Sequence, residues 1–133
     1  MSGTTCICGR PVIEVLRERY GPIPDECVTI SRWYRRRRGR PKPPVWWFDI
    51  ALAPLKEKKC SHQYLVCKVM ICGCCLFHIL RVPTKFLLEN LDGLRSIERR
   101  GEKFIRLWLS AASEDRFTDV VGKAHLSLAE YAI

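Results

Sequence analysis

The chain has 133 residues, of which 47% are hydrophobic and 28% charged, with a formal net charge of +9. Length and composition exclude a disordered chain and suit one domain able to bury a core. The longest apolar stretches, at residues 64–66 and 69–80, fall short of the roughly 18 residues that span a bilayer, so no membrane partner is expected.

The first ten residues lack the basic-then-apolar layout of a signal peptide, so the expectation is an intracellular protein, cytoplasmic or nuclear. Residues 11–20 read as a helix, with Pro11 in the first turn, Val12, Ile13, Leu16 and Tyr20 on one face, and Gly21-Pro22 as its stop. Ile23-Pro24-Asp25-Glu26 reads as a turn. Residues 27–34 alternate loosely and carry Val28, Ile30, Trp33 and Tyr34, which predicts a strand. Residues 45–52 predict a stronger one, with Trp46, Phe48, Ile50 and Leu52 on one face and Trp47, Asp49 and Ala51 on the other. A hairpin joining the two would carry residues 35–44 at its tip.

Residues 55–61 read as a charged connection. Residues 63–70 and 76–82 predict two further strands, joined across a turn that holds Cys72, Gly73, Cys74 and Cys75. Pro83-Thr84 ends the second and opens a helix to about Leu91, with Gly93 beyond its C-terminus. Residues 96–102 read as a polar turn. Residues 103–110 predict a strand with Phe104, Arg106 and Trp108 opposed to Ile105, Leu107 and Leu109. Residues 111–123 read as a polar loop, after which Ser127 caps a short terminal helix. This order places the chain in the α+β class: a mostly antiparallel sheet of about five strands with two to three helices, in one domain over residues 1–133. An exposed edge at residues 103–110 would offer a second copy a place to pair, which keeps a homodimer among the partners.

Charge is concentrated in one place. Arg32, Arg35, Arg36, Arg37, Arg38, Arg40 and Lys42 supply seven positive charges without an intervening acid, which leaves +2 of the +9 for the rest. Pro41, Pro43 and Pro44 close the stretch and favour an extended course outside any sheet interior. Such a concentration is the electrostatic footprint of a protein that binds a phosphate backbone. The expected partner is nucleic acid, DNA ahead of RNA. Trp33, Tyr34, Trp46 and Trp47 flank the stretch, and aromatics beside cations suit base stacking. Trp47, on the Asp49 face, is the tryptophan among Trp33, Trp46 and Trp47 expected to be exposed.

Arg38-Gly39-Arg40-Pro41, preceded by Arg35 to Arg37 and followed by Lys42, resembles the AT-hook, a short minor-groove DNA-binding motif. The resemblance implies that Gly39 lets the backbone approach the groove floor while Arg38 and Arg40 lie along it. A·T-rich minor grooves are narrow, strongly negative and free of the guanine amino group. A solvated basic loop, or one that meets an acidic protein partner, is the alternative reading of the same charges.

The order of elements resembles the core of PD-(D/E)XK nucleases, a restriction-endonuclease-like fold. That resemblance implies an acid on the second strand and an acid-x-lysine on the third, holding Mg²⁺ against a phosphodiester. Asp49, Glu57 and Lys59 are the residues that match, although Glu57 and Lys59 fall in the connection and not on a strand. A solvated turn and a strand acid paired with an arginine are the structural alternatives.

Eight cysteines without an export signal favour reduced thiols or metal ligands over bridges. Cys6 with Cys8 and Cys72 with Cys75 are two short pairs that could close a tetrahedral zinc site, with Cys60, His62, Cys67 and His78 as further donors. The alternative is free thiols packed as small hydrophobes, with Cys27 and Cys67 in the core.

Overall fold

The computed structural model describes the backbone of residues 5–6, 12–34, 45–57, 59–71 and 74–133, and the side chains of residues 13–31, 45–57, 59–68 and 77–133. In chain order the elements are β1 (Thr5–Cys6), α1 (Val12–Tyr20), β2 (Val28–Ile30), β3 (Arg32–Tyr34), β4 (Val45–Ala51), α2 (Leu52–Lys56), β5 (His62–Ile71), β6 (Cys74–Pro83), α3 (Thr84–Glu89), β7 (Arg95–Arg99) and β8 (Glu102–Ser110). Short 3₁₀ turns at Asp25–Cys27, Leu91–Gly93 and Ala129–Tyr131 complete the set. The class is α+β. The expected sheet of about five strands is instead eight strands, among the described residues, in two four-stranded sheets ordered β1-β6-β5-β2 and β3-β4-β8-β7. All pairings are antiparallel except β2 with β5.

Periodicity explains which sheet faces what. In β4 the alternation buries Trp46, Phe48 and Ile50, and in β8 it buries Ile105, Leu107 and Leu109. These six residues meet Leu65, Cys67, Leu80 and Val82 of β5 and β6 in one core between the sheets, closed by Leu55 of α2 and Leu87 of α3. The intervening residues of β5 and β6, Tyr64, Val66 and Ile79, turn the other way and pack with Leu16 of α1, Ile23, Cys27 and Cys60. Burial on both faces is why residues 64–67 of β5 and 79–80 of β6 are apolar without alternation. Trp46 also ties the sheets by a hydrogen bond, its indole N–H donating to Lys68 O at 2.6 Å.

Several expectations need correction. The single strand expected at residues 27–34 is broken at buried Ser31: β2 joins one sheet and β3 the other. Ser31 secures the crossing, its N–H donating to Val66 O at 2.9 Å and its hydroxyl accepting from Lys68 N at 3.0 Å. The charged connection after β4 contains a short helix, α2. The polar turn expected at residues 96–102 is mostly β7, an exposed edge strand whose charged residues hide its periodicity. Only Arg100 and Gly101 turn, with φ of +51° and +80°, the left-handed pair that a two-residue hairpin requires. Consequently β8 is no edge; it lies between β4 and β7. The terminal helix is one 3₁₀ turn, with Ala129 N donating to Ser127 Oγ at 3.3 Å.

Cys27, expected as a core thiol, and Cys60, offered as a further zinc donor, instead form a disulfide, with a Cα–Cα distance of 5.8 Å. It clips the 3₁₀ turn before β2 to the segment entering β5. Cys67 remains a buried thiol, and burial pushes its pKa well up.

The loop at residues 111–123 is more ordered than its polarity suggests. Asp119 is fully buried and accepts hydrogen bonds from the backbone N–H of Trp108 (3.1 Å), Val121 (3.3 Å) and Gly122 (3.0 Å). A Cβ at Gly122 would stand 2.5 Å from Asp119 Oδ2 and 2.6 Å from Gly93 O. Gly122→Ala should therefore destabilise the fold by about 1–3 kcal/mol in urea unfolding. A loss below about 0.5 kcal/mol, the scale of an ordinary surface substitution, would contradict that tight approach.

Candidate nucleic-acid interface

Antiparallel pairing of β3 with β4 sets Arg32 opposite Trp47, Trp33 opposite Trp46 and Tyr34 opposite Val45. Residues 35–44 therefore leave and re-enter the sheet at the ends of two adjacent strands. Arg35, Arg36, Arg37, Arg38, Gly39, Arg40, Pro41 and Lys42 themselves lie outside the described residues.

The β3-β4-β8-β7 sheet has an outer face opposite its core. In register across it run Trp47 with Trp108, Asp49 with Arg106, and Arg106 with Arg95. Phe104 and Ile97 form the next row. The face is built by the same alternation that builds the core, since every second residue of β4 and β8 must point away from it. The rings of Trp47 and Trp108 lie 5.1 Å apart, tilted by 49°. The Arg106 guanidinium sits 4.3 Å from the centre of the Trp47 ring, and that of Arg99 sits 5.0 Å from Phe104. Both distances suit cation–π attraction. Trp108 is held through its backbone, N–H to Asp119 and C=O from Val120 N at 2.9 Å.

Asp49 is the electrostatic centre of the face. Its carboxylate accepts from Arg106 Nε (2.9 Å) and Nη2 (3.2 Å), Arg99 Nη2 (2.6 Å) and Trp47 Nε1 (3.1 Å). Partial burial alone would raise its pKa. The Arg106 and Trp47 hydrogen bonds and the charges of Arg106 and Arg99 outweigh burial and hold it below the ordinary value. A lowered folded-state pKa means stability that is present above the unfolded pKa and lost as the pH falls through the folded one. Asp49→Asn should cost about 1.5–3 kcal/mol at pH 7, the worth of hydrogen bonds to a charged group. The gap between the two proteins, measured by urea unfolding, should narrow steadily below about pH 4. A gap constant down to acid pH would mean that charge is not its origin.

Glu57 and Lys59 pair with each other at 3.1 Å, each about half exposed. The contacts of Asp49 run to arginines and tryptophan, and those of Glu57 to Lys59, so the three do not form one cluster. Among the proposed zinc ligands, Cys8 and Cys72 lie outside the described residues, as do the side chains of Cys6 and Cys75. The backbone of Cys6 is opposite Leu76, one residue along from Cys75. Among the described residues no three His, Cys, Asp or Glu side chains converge to hold a metal ion. Cys60 is occupied by its disulfide, His62 lies beside Ser61 Oγ, and His78 packs edge-on against Trp46 and Phe117.

Arg95, Arg99, Arg106 and Trp108 were not among the candidate site residues. The alternation at residues 103–110 marks Arg106 and Trp108 as partners on one face; Arg95 and Arg99 are legible only once β7 is recognised as a strand. No described helix is long and apolar enough to cross a membrane. Comparison of the chain with protein-family models, with curated proteins and with solved structures finds no match.

Proposed function

We propose that this protein binds nucleic acid, DNA ahead of RNA, through the cationic segment from Arg35 to Lys42. The observation that supports the reading is the β3–β4 register, which pairs Tyr34 with Val45, the residues flanking 35–44 in the chain, in a sheet whose outer face carries Trp47, Trp108, Arg95, Arg99 and Arg106. The segment supplies six positive charges over eight residues, and phosphate neutralisation is what such a density achieves. Gly39 between Arg38 and Arg40 favours an A·T-rich minor groove as the preferred duplex target.

Binding is favoured over metal-dependent cleavage by the state of the acids. A metal at Asp49 would have to displace two arginines, and Glu57 is paired to Lys59. Titrations on A·T-rich duplex, G·C-rich duplex and single strand at two salt concentrations test the proposal. Affinity that falls with salt and is highest for A·T-rich duplex among the duplexes is expected. Failure of excess A·T-rich duplex to displace a captured partner would assign the segment to an acidic protein instead.

A further inference from the structure

The β3-β4-β8-β7 sheet leaves a tryptophan pair on the face away from the core. The buried apolar residues of α1, α2 and α3 (Leu16, Leu55 and Leu87) all join the two cores and none packs over this face. Two features of the face cost stability where they stand. Trp108 Nε1 is buried and has no hydrogen-bond partner among the described residues, a donor that phenylalanine would not bring. Arg95 stands directly opposite Arg106 in the ladder, and like charges so placed repel. Around them Arg95, Arg99 and Arg106 outnumber the two acids of the same rows, Asp49 and Glu102, so the face is complementary to an anion that also has flat apolar surfaces.

Unpaired nucleotides combine those properties. In a duplex the base faces are already stacked on one another, and a flat protein sheet reaches only phosphates and groove edges. In a single strand each base presents a free π-face to an aromatic side chain. The Trp47 ring meets both Arg106 and Trp108, whereas Trp47 is the one aromatic or cationic group that the Trp108 ring meets among the described residues.

We propose that the outer face of the β3-β4-β8-β7 sheet is a stacking surface for single-stranded nucleic acid, with Trp108 carrying a base and Arg95 and Arg99 its flanking phosphates. This rests on the nucleic-acid-binding reading above and adds a class of target that the cationic segment alone does not select.

The test uses the full chain with a thymine homo-oligomer of about 12 nucleotides, within the site size of one stacking domain, and a duplex of equal length. Trp108→Leu should lower single-strand affinity about 5- to 150-fold, the effect of losing one stacked base, with the log–log salt slope unchanged. Duplex affinity should stay within about twofold, since stacking on a free base is absent there. Trp108→Phe should retain most of the single-strand affinity. Equal single-strand affinity for Trp108→Leu and wild type would overturn the inference, as would an equal loss on duplex and single strand. A wild-type protein that binds neither would overturn the nucleic-acid reading itself. Photocrosslinking of an iodouracil-substituted single strand to wild type needs no variant: label in the tryptic peptide 107–116 is expected, and label confined to peptides outside β4, β7 and β8 would contradict the stacking surface.

Discussion

Replacing Arg35, Arg36, Arg37 and Arg38 together with alanine should weaken duplex binding about 10³- to 10⁴-fold at 0.1 M salt. Each neutralised phosphate contributes about 0.9 to the log–log salt slope, hence about 0.9 decade of affinity one log unit below 1 M salt. Four arginines, each matched to one phosphate, account for about 3.6 decades. The same variant should also flatten the slope by about 3.6, which separates the loss of phosphate neutralisation from a general defect of the fold. Lysine at Arg38 and Arg40 provides the finer comparison. Charge is kept, so the salt slope should hold, but the planar guanidinium that fits a narrow minor groove is removed. Preference for A·T-rich over G·C-rich duplex should then fall while overall affinity changes little. If the preference survived, Gly39 and its flanking arginines would not be reading a groove.

The second large effect is on stability. Removing the Cys27–Cys60 disulfide, by reductant or by paired substitution to serine, should cost about 3.7 kcal/mol through the closure of a loop with a sequence separation of 33. The bridge sits where the fold has little else. β2 contributes three register pairs to β5, and the cluster beneath α1 is the smaller of the two cores. Hydrogen exchange of the β2 amides should accelerate first on reduction, while β4, β5 and β8, which close the larger core, keep their protection. Unfolding in urea with and without reductant measures the total. Identical curves would show that the bridge adds nothing to the folded state.

Sequence patterns made the central strands of the second sheet legible for a simple reason. β4 and β8 have one buried face and one solvated face, so Trp46, Phe48 and Ile50, like Ile105, Leu107 and Leu109, announce a period of two. Trp47, Asp49, Arg106 and Trp108 follow as the opposite set, and the candidate face was readable to that extent. β7 was not, because an edge strand of alternating charges has the composition of a turn, and Arg95 and Arg99 vanished with it. The division into two sheets was hidden for another reason. Residues 27–34 keep one loose alternation through Ser31, and nothing local says that the chain changes partner there; only Val66 and Lys68, more than 30 residues away, decide it. The disulfide was missed because compartment arguments say whether thiols pair in general, and not that a 3₁₀ turn and a strand entry bring Cys27 and Cys60 within reach.

The Asp49 cluster connects these levels. A strand acid, expected either to hold a metal or to meet an arginine, meets two, and by doing so fixes Arg106 against Trp47 and Arg99 near Phe104. Its structural role is to keep a cationic, aromatic face ordered next to the strand ends from which the arginine segment departs.

The dependence of the association constant on salt is the most direct test of that account. For wild type and a short A·T-rich duplex between about 50 and 200 mM salt, about five to seven neutralised phosphates predict a log–log slope of about −4.5 to −6.3. A slope near zero would contradict phosphate recognition by the segment from Arg35 to Lys42.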